Sequence, residues 1–298
     1  MEKEAAIQIE ITPFRELPIS DDYIFGHLMR DVEICRMFLE ALLQKKIARV
    51  EIVSSQYEIT DSYFSHGIRV DVYLADEAGT IYCVEMQTTI PKNLYKRIRY
   101  YQGAIDRRHL HKGDHYDELP ETFIIFICTK DPFGYGRPIY RRKMSLEHCE
   151  NSEYNDGSHV YFLNSEGIRD SAADAEQQDP AITEFLRCIR ENDTEKSHYA
   201  TPLMVRICEA MEEIRDDPVL EADYMQYQAK LMDRENFGFE RGRKEGREEG
   251  REEGIQAMVK ALQGFSLSKD NAIQSLQTTI GLSPEAAQEK VDRYWNAD

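Results

Sequence analysis

The chain has 298 residues, 41% of them hydrophobic and 31% charged, enough for a real core in one large domain or two small ones. Its formal net charge of -18 repels polyphosphate at long range. A protein basic over its whole surface is therefore excluded, and any nucleic-acid interface must be a local basic patch.

The first strong element begins at Ser20-Asp21-Asp22, with Ser20 or Asp21 as the N-cap. Ile24/Phe25, Leu28/Met29, Val32, Cys35, Phe38/Leu39 and Leu42/Leu43 then recur at steps of three and four, which predicts one core-facing helix. A strand is predicted from Val50 to Thr60, and two more at Ile68–Leu74 and Ile81–Gln87, with Asp76-Glu77-Ala78-Gly79 as a hairpin turn. Pro91 opens a second helix carrying Leu94, Ile98, Tyr101, Ile105 and Leu110 at helical spacing. Phe123 to Cys128 is a continuous apolar run suited to a buried strand, and Val160 to Leu163 is a further strand candidate.

After about Ser171 the composition becomes rich in Ala, Glu and Gln, and helical patterns follow through Phe185-Leu186-Ile189 and Met204 to Ile214. Gly242 to Gly254 is a tandem repeat, one Gly-Arg-Lys-Glu unit followed by two Gly-Arg-Glu-Glu units and a closing glycine. Glycine at every fourth position costs about 1 kcal/mol each in a helix, so a solvated, weakly helical connector is expected. The predicted organisation is a core over 15–168, a helical extension over 175–240, the connector over 241–254 and a small helical module over 255–298. The six cysteines, Cys35, Cys83, Cys128, Cys149, Cys188 and Cys208, include no Cys-x-x-Cys pair and several sit in apolar runs, so buried reduced thiols are expected. The charged start Met1-Glu2-Lys3-Glu4 and the lack of any apolar run of about 20 residues point to a cytoplasmic protein with no membrane span.

The chemistry rests on whether Asp71 and Glu85 meet. Side chains alternate along a strand, so Asp71 shares a face with Arg69 and Tyr73, and Glu85 with Gln87. A three-residue loop, Glu77-Ala78-Gly79 with Gly79 left-handed, pairs Asp76 with Thr80 and sets Asp71 opposite Glu85, and Arg69 opposite Gln87. A four-residue loop would pair Ala75 with Thr80 and separate the carboxylates onto opposite faces; Gly79 favours the shorter one. Opposed carboxylates repel unless they share a cation, and oxygen-only ligands select a hard ion, Mg²⁺ or Mn²⁺. Such an ion acidifies a bound water and stabilises charge on a phosphate. Gln87 could orient that water, although unlike lysine it carries no charge. The competing reading makes these acids a plain solvent face.

The following helix carries Lys92, Lys96, Arg97, Arg99, Arg107, Arg108 and Lys112, with Tyr95 and Tyr100 interleaved for stacking on bases or sugars. Arg137, Arg141, Arg142 and Lys143 form a second basic run. Either these are nucleic-acid patches or they are solvated faces balanced by acidic helices elsewhere. His109, His111 and His115 lack cysteines at zinc spacing and read as surface or helix-end residues. Asp21 and Asp22 are first of all helix-start residues, and a carboxylate there could supply a further metal ligand.

A helix, a hairpin bearing Asp and then Glu-x-Gln, and a basic helix resemble the PD-(D/E)xK nuclease superfamily. Within it the chain more closely resembles the Rpn family of recombination-promoting nucleases or transposases. The matching stretches are Ser20–Gly26, Gly67–Tyr73, Val84–Thr88, Arg97–Gln102 and Phe123–Cys128, inside about residues 15 to 165. The resemblance implies an α/β fold with a restriction-endonuclease-like core, αβββαβ, its mixed sheet flanked by helices, and a helical C-terminal region. It implies Mg²⁺-dependent cleavage of DNA linked to recombination or mobile elements. Asp71 and Glu85 carry over as metal ligands, Gln87 takes the place of the superfamily lysine, and Asp22 matches the acidic position of the first helix. Lys96, Arg97, Arg99, Tyr100, Gln102 and Arg107 are the candidate DNA contacts. The alternatives are a nuclease fold acting only as a DNA- or protein-binding module, with homo-oligomers through the C-terminal helices, and an RNase-H-like transposase, which a hairpin pair of acids fits poorly. No small-molecule cofactor is expected.

Overall fold

Two capped helices open the fold in place of the single one expected. In the computed structural model, which describes residues 12–59, 68–147, 154–168 and 179–295, α1 runs Asp22–Leu28 and α2 runs Val32–Leu43. The apolar stripe continues across both, so spacing alone hides the break. Asp31 makes it: its carboxylate accepts from the Glu33 and Ile34 backbone N–H groups at 2.9 and 3.2 Å, which starts a new helix. Asp21 caps α1 in the same way, accepting from Tyr23 and Ile24 at 2.9 and 3.2 Å.

The strands β1 (Val50–Ile59), β2 (Ile68–Asp76), β3 (Ile81–Gln87), β4 (Thr122–Cys128), β5 (Ile139–Arg141) and β6 (Ser158–Asn164) form one mixed sheet in the order β1-β2-β3-β4-β6-β5. The first three are antiparallel neighbours, β4 lies parallel to both β3 and β6, and β5 pairs antiparallel with β6. The turn between β2 and β3 is the short one: the Asp76 N–H donates to the Thr80 carbonyl at 3.1 Å and Gly79 has φ 83°. Three-residue β5 was not foreseen, because so short an edge strand shows no alternation.

Both β3 and β4 are buried along their whole length. A strand covered on two faces reads as an uninterrupted apolar run, which Phe123 to Cys128 is. The polar exceptions, Glu85 and Gln87, stand out for that reason. Helix α3 (Leu94–His109) follows β3 and packs Leu94, Ile98, Tyr101 and Ile105 into one core with Tyr73, Cys83, Phe126 and Phe162. Pro91, expected to open this helix, instead precedes it in a turn closed by the Leu94 N–H on the Pro91 carbonyl at 3.1 Å.

Two compact units divide the chain, the first ending at Tyr224 and the second beginning at Met225. The first also contains α4 (Pro180–Glu191) and α5 (Pro202–Asp216). Phe185 of α4 meets Phe38 of α2 at 5.2 Å, and Arg206 of α5 reaches the Asp31 carboxylate at 2.6 Å. Helix α6 runs Pro218–Gly264 and holds the glycine–charge repeat, helical throughout and exposed from 241 to 250. In the second unit Ile255 and Val259 of α6 pack with Ala272 and Leu276 of α7 (Lys269–Ile280) and Ala287 and Val291 of α8 (Pro284–Tyr294). Five cysteines are buried and free, while Cys149 lies outside the described residues. Among the described residues no helix is long and apolar enough to cross a membrane.

Candidate active site

The β2–β3 ladder runs from Ala75↔Ile81 to Val72↔Val84, and the same register carried one row further sets Asp71 facing Glu85. At that row the backbone ladder stops and a side chain takes over: the Asp71 carboxylate accepts from the Met86 N–H at 2.9 Å. The strands therefore part where the two acids stand. The Arg69 side chain, expected across from Gln87, lies outside the described residues.

Glu85 is 3% exposed, and its Oε1 is buried with no hydrogen-bond partner among the described residues. Leaving a charged group so buried costs several times an ordinary hydrogen bond. Burial, and next the neighbouring Asp71 charge, push the Glu85 carboxyl well above its ordinary range; Arg97 and the Asp71 backbone N–H pull it back, and Asp22 adds to the rise. A carboxyl destabilised by burial and by a second carboxylate, with an orphaned oxygen, is what a pair made to share a cation looks like without one. The donor set fits a hard divalent ion, which binds one or two carboxylates and keeps its remaining positions for water and phosphate.

Gln87 is also buried, and both hydrogens of its amide are engaged. Nε2 donates to Glu85 Oε2 at 3.4 Å and to the Met86 carbonyl at 3.1 Å, while Oε1 accepts from Arg97 Nη1 at 3.4 Å. Arg97 thus leaves the row of candidate DNA contacts and turns into the site, 3.7 Å from the Glu85 carboxylate, where its Nη2 donates to the Tyr101 hydroxyl at 2.8 Å. The guanidinium supplies the positive charge that Gln87 lacks. Helical spacing held the signal: positions 94, 97, 98, 101 and 105 lie on one face, so Arg97 belongs with the buried stripe. Tyr101, first read only as core, is the other residue the sequence did not assign to the site.

Asp22 is the first residue of α1 and exposed. Its charge reaches Glu85. Among the described residues, however, no three His, Cys, Asp or Glu side chains converge closely enough to hold a metal. Lys96, Arg99, Tyr100 and Arg107 are exposed on α3. Gln102 is half-buried and bonds Asp106 at 2.8 Å and Thr122 at 3.1 Å. His109 ends α3 with its Nε2 2.7 Å from the Tyr73 hydroxyl, and His111 and His115 are exposed, as their positions suggested.

A mixed six-strand sheet flanked by helices, with paired acids where β2 and β3 part, is the restriction-endonuclease-like α/β fold of nucleases. The model of the PD-(D/E)XK nuclease family transposases matches residues 22–237, and the chain belongs to that family. The match begins at Asp22 and runs past the resemblance seen in the sequence, through α4 and α5 into α6. Membership places the chain in a nuclease-type functional class. No curated protein and no solved structure matches it.

Proposed function

We propose that the protein is a Mg²⁺-dependent DNA endonuclease of the Rpn type, hydrolysing phosphodiester bonds in the cytoplasm in connection with recombination or mobile elements. The observation that carries this reading is the orphaned Oε1 of buried Glu85 beside Asp71. Asp71 and Glu85 would hold Mg²⁺ or Mn²⁺, with Asp22 adding negative charge at the rim. When bound, the ion supplies Lewis-acid stabilisation of the phosphate and an acidified water.

The chain's own residues do the rest. Gln87 fixes the Glu85 carboxylate with its amide hydrogens, and the second lone pair of its Oε1 can accept a hydrogen bond from the attacking water. Arg97, held by Tyr101, offers a fixed positive charge to the developing phosphorane oxygens. Lys96, Arg99, Tyr100, Gln102 and Arg107 line α3 for the sugar–phosphate backbone. Plasmid nicking with Mg²⁺ or Mn²⁺ tests the assignment; Asp71→Ala should abolish it, and equal activity in the variant rejects the reading.

One observation favours a second reading, a catalytically weak protein that binds DNA without efficient cleavage. The Gln87 amide already spends its donors on Glu85 and Met86. Calorimetry with Mn²⁺ separates the two, since a dead site shows no ion binding that depends on Glu85.

A further inference from the structure

A cavity of about 730 Å³ lies between α3, β5 and β6 and the loop before β5, and its lining includes Tyr95, Arg99 and Gln102 of α3. Arg97, by contrast, points to the carboxylates. The size lies within the range of small-molecule sites, roughly 300–1,000 Å³.

Its walls are of two kinds. Phe133 is the hub of a ring cluster, stacked on Tyr95 at 6.1 Å and edge-on to Tyr140 and Phe162 at 4.8 and 4.9 Å. Tyr95 and Tyr135 are 67% and 79% exposed, large rings held in water beside that cluster. The polar wall carries Asp106 and Asp156. Asp106 Oδ1 accepts from the Gln102 amide at 2.8 Å, and that amide is fixed because its oxygen accepts from the Thr122 hydroxyl at 3.1 Å. Asp156 Oδ1 accepts from the Ser158 N–H and hydroxyl at 2.9 and 2.7 Å. Asp106 Oδ2 makes no hydrogen bond among the described residues, while Asp156 is exposed and, against its partial burial, Ser158 and the Arg142 charge hold its carboxyl below the ordinary range, as an ionised acceptor. Burial, with Asp156 close by, holds the Asp106 carboxyl above its ordinary range, as expected where an incoming donor is missing. Arg99 makes no ion pair or hydrogen bond among the described residues, and Arg141 and Arg142 also line the cavity, a local positive excess in a chain of net charge -18.

We propose that this cavity binds a guanine nucleotide unit, its base stacked on Tyr95, Phe133 and Tyr135 and its phosphate on Arg99. Two carboxylates line the cavity as acceptors, and they suit a base edge with two donors. Guanine offers its ring N–H and its amino group there; thymine offers one N–H, and adenine and cytosine one amino group each. The unit could be a free nucleotide or an unpaired base of a strand lying along α3. The inference takes from the proposed function only the nucleic-acid character of this surface and none of its hydrolysis.

The test is calorimetry on the full chain in EDTA, with dGMP, dAMP, dCMP and dTMP, then a single-stranded guanine-containing decamer and its duplex. Expected is binding of dGMP or the single strand, with dTMP or the duplex at least about tenfold weaker, the least that one lost stacking or paired contact carries. Tyr135→Ala, an exposed position, and Asp106→Asn should each weaken that binding about tenfold or more. Binding of dGMP alone identifies a free nucleotide, and binding of the strand identifies an unpaired base; both support the proposal. No binding of either, any of dAMP, dCMP or dTMP binding as tightly as dGMP, or affinity untouched in both variants overturns it. Asp71→Ala should bind as wild type does, so failure to nick DNA and failure to bind guanine are read separately.

Discussion

Replacing Glu85 by glutamine should make the metal-free protein more stable while removing its response to divalent ions. In the wild type a buried carboxylate faces Asp71 with one oxygen unpartnered. A neutral amide of the same shape removes the like-charge repulsion and gives Asp71 a donor. Relieving one unsatisfied buried charged group is worth about 1–3 kcal/mol, and for a unit of this size each kcal/mol moves Tm by about 2–4 °C. Thermal unfolding in EDTA at pH 7.5 should therefore show Glu85→Gln melting above wild type by several degrees. The sign of the pH dependence follows. Because the folded Glu85 carboxyl is raised, its stability is whole below the ordinary glutamate value of about 4.3 and is lost as pH rises through the folded value; in the variant that decline should vanish. With Mn²⁺ at a hundred times its dissociation constant the wild type should gain about 2.7 kcal/mol and the variant nothing. A variant less stable than wild type in EDTA, or one shifted equally by Mn²⁺, would refute the reasoning.

Three further outcomes follow from the structure. Arg97→Ala should reduce plasmid nicking by about 10²-fold, the effect of removing one fixed donor to developing charge, while circular dichroism stays native; an unchanged rate would return Arg97 to the solvent face. Burial alone would raise Asp31, but Arg206 and two backbone N–H groups outweigh it and hold its carboxyl below the usual range. Its stabilisation is thus present above the ordinary aspartate value of about 3.9 and lost as pH falls through the folded value. Arg206→Gln should cost about 1 kcal/mol at neutral pH, discounted because both groups are partly exposed, and should flatten the acid limb in a urea-unfolding series across pH. At Gly167 an added Cβ would sit 2.4 Å from the Arg137 carbonyl oxygen, a backbone atom with no room to yield. Gly167→Ala should cost about 1–3 kcal/mol by denaturant unfolding, and a wild-type midpoint would show that this loop relaxes freely.

Much of the fold is legible along the chain because it rests on local rules. Gly79 demands a left-handed turn, that turn fixes the β2–β3 register, and the register decides which face Asp71 and Glu85 share. The apolar run of β4 announces a strand covered on both faces. What the sequence concealed depends on competition or on distance. Asp31 is an ordinary acid in a continuous helical stripe until its carboxylate captures two backbone donors and splits the helix. Arg97 reads as one of many cations on a basic helix, and only its place beside Leu94, Ile98 and Tyr101 turns it inward. The aromatic cavity draws on α3, β5, β6 and a loop between them, residues about 60 positions apart that no linear pattern joins.

Anomalous scattering from a crystal grown with Mn²⁺ would locate any ion held by the paired acids. One strong peak is expected at the Asp71 and Glu85 carboxylates, with the formerly orphaned Oε1 in contact with it. Mn²⁺ bound elsewhere, or no anomalous peak at millimolar Mn²⁺, would contradict it.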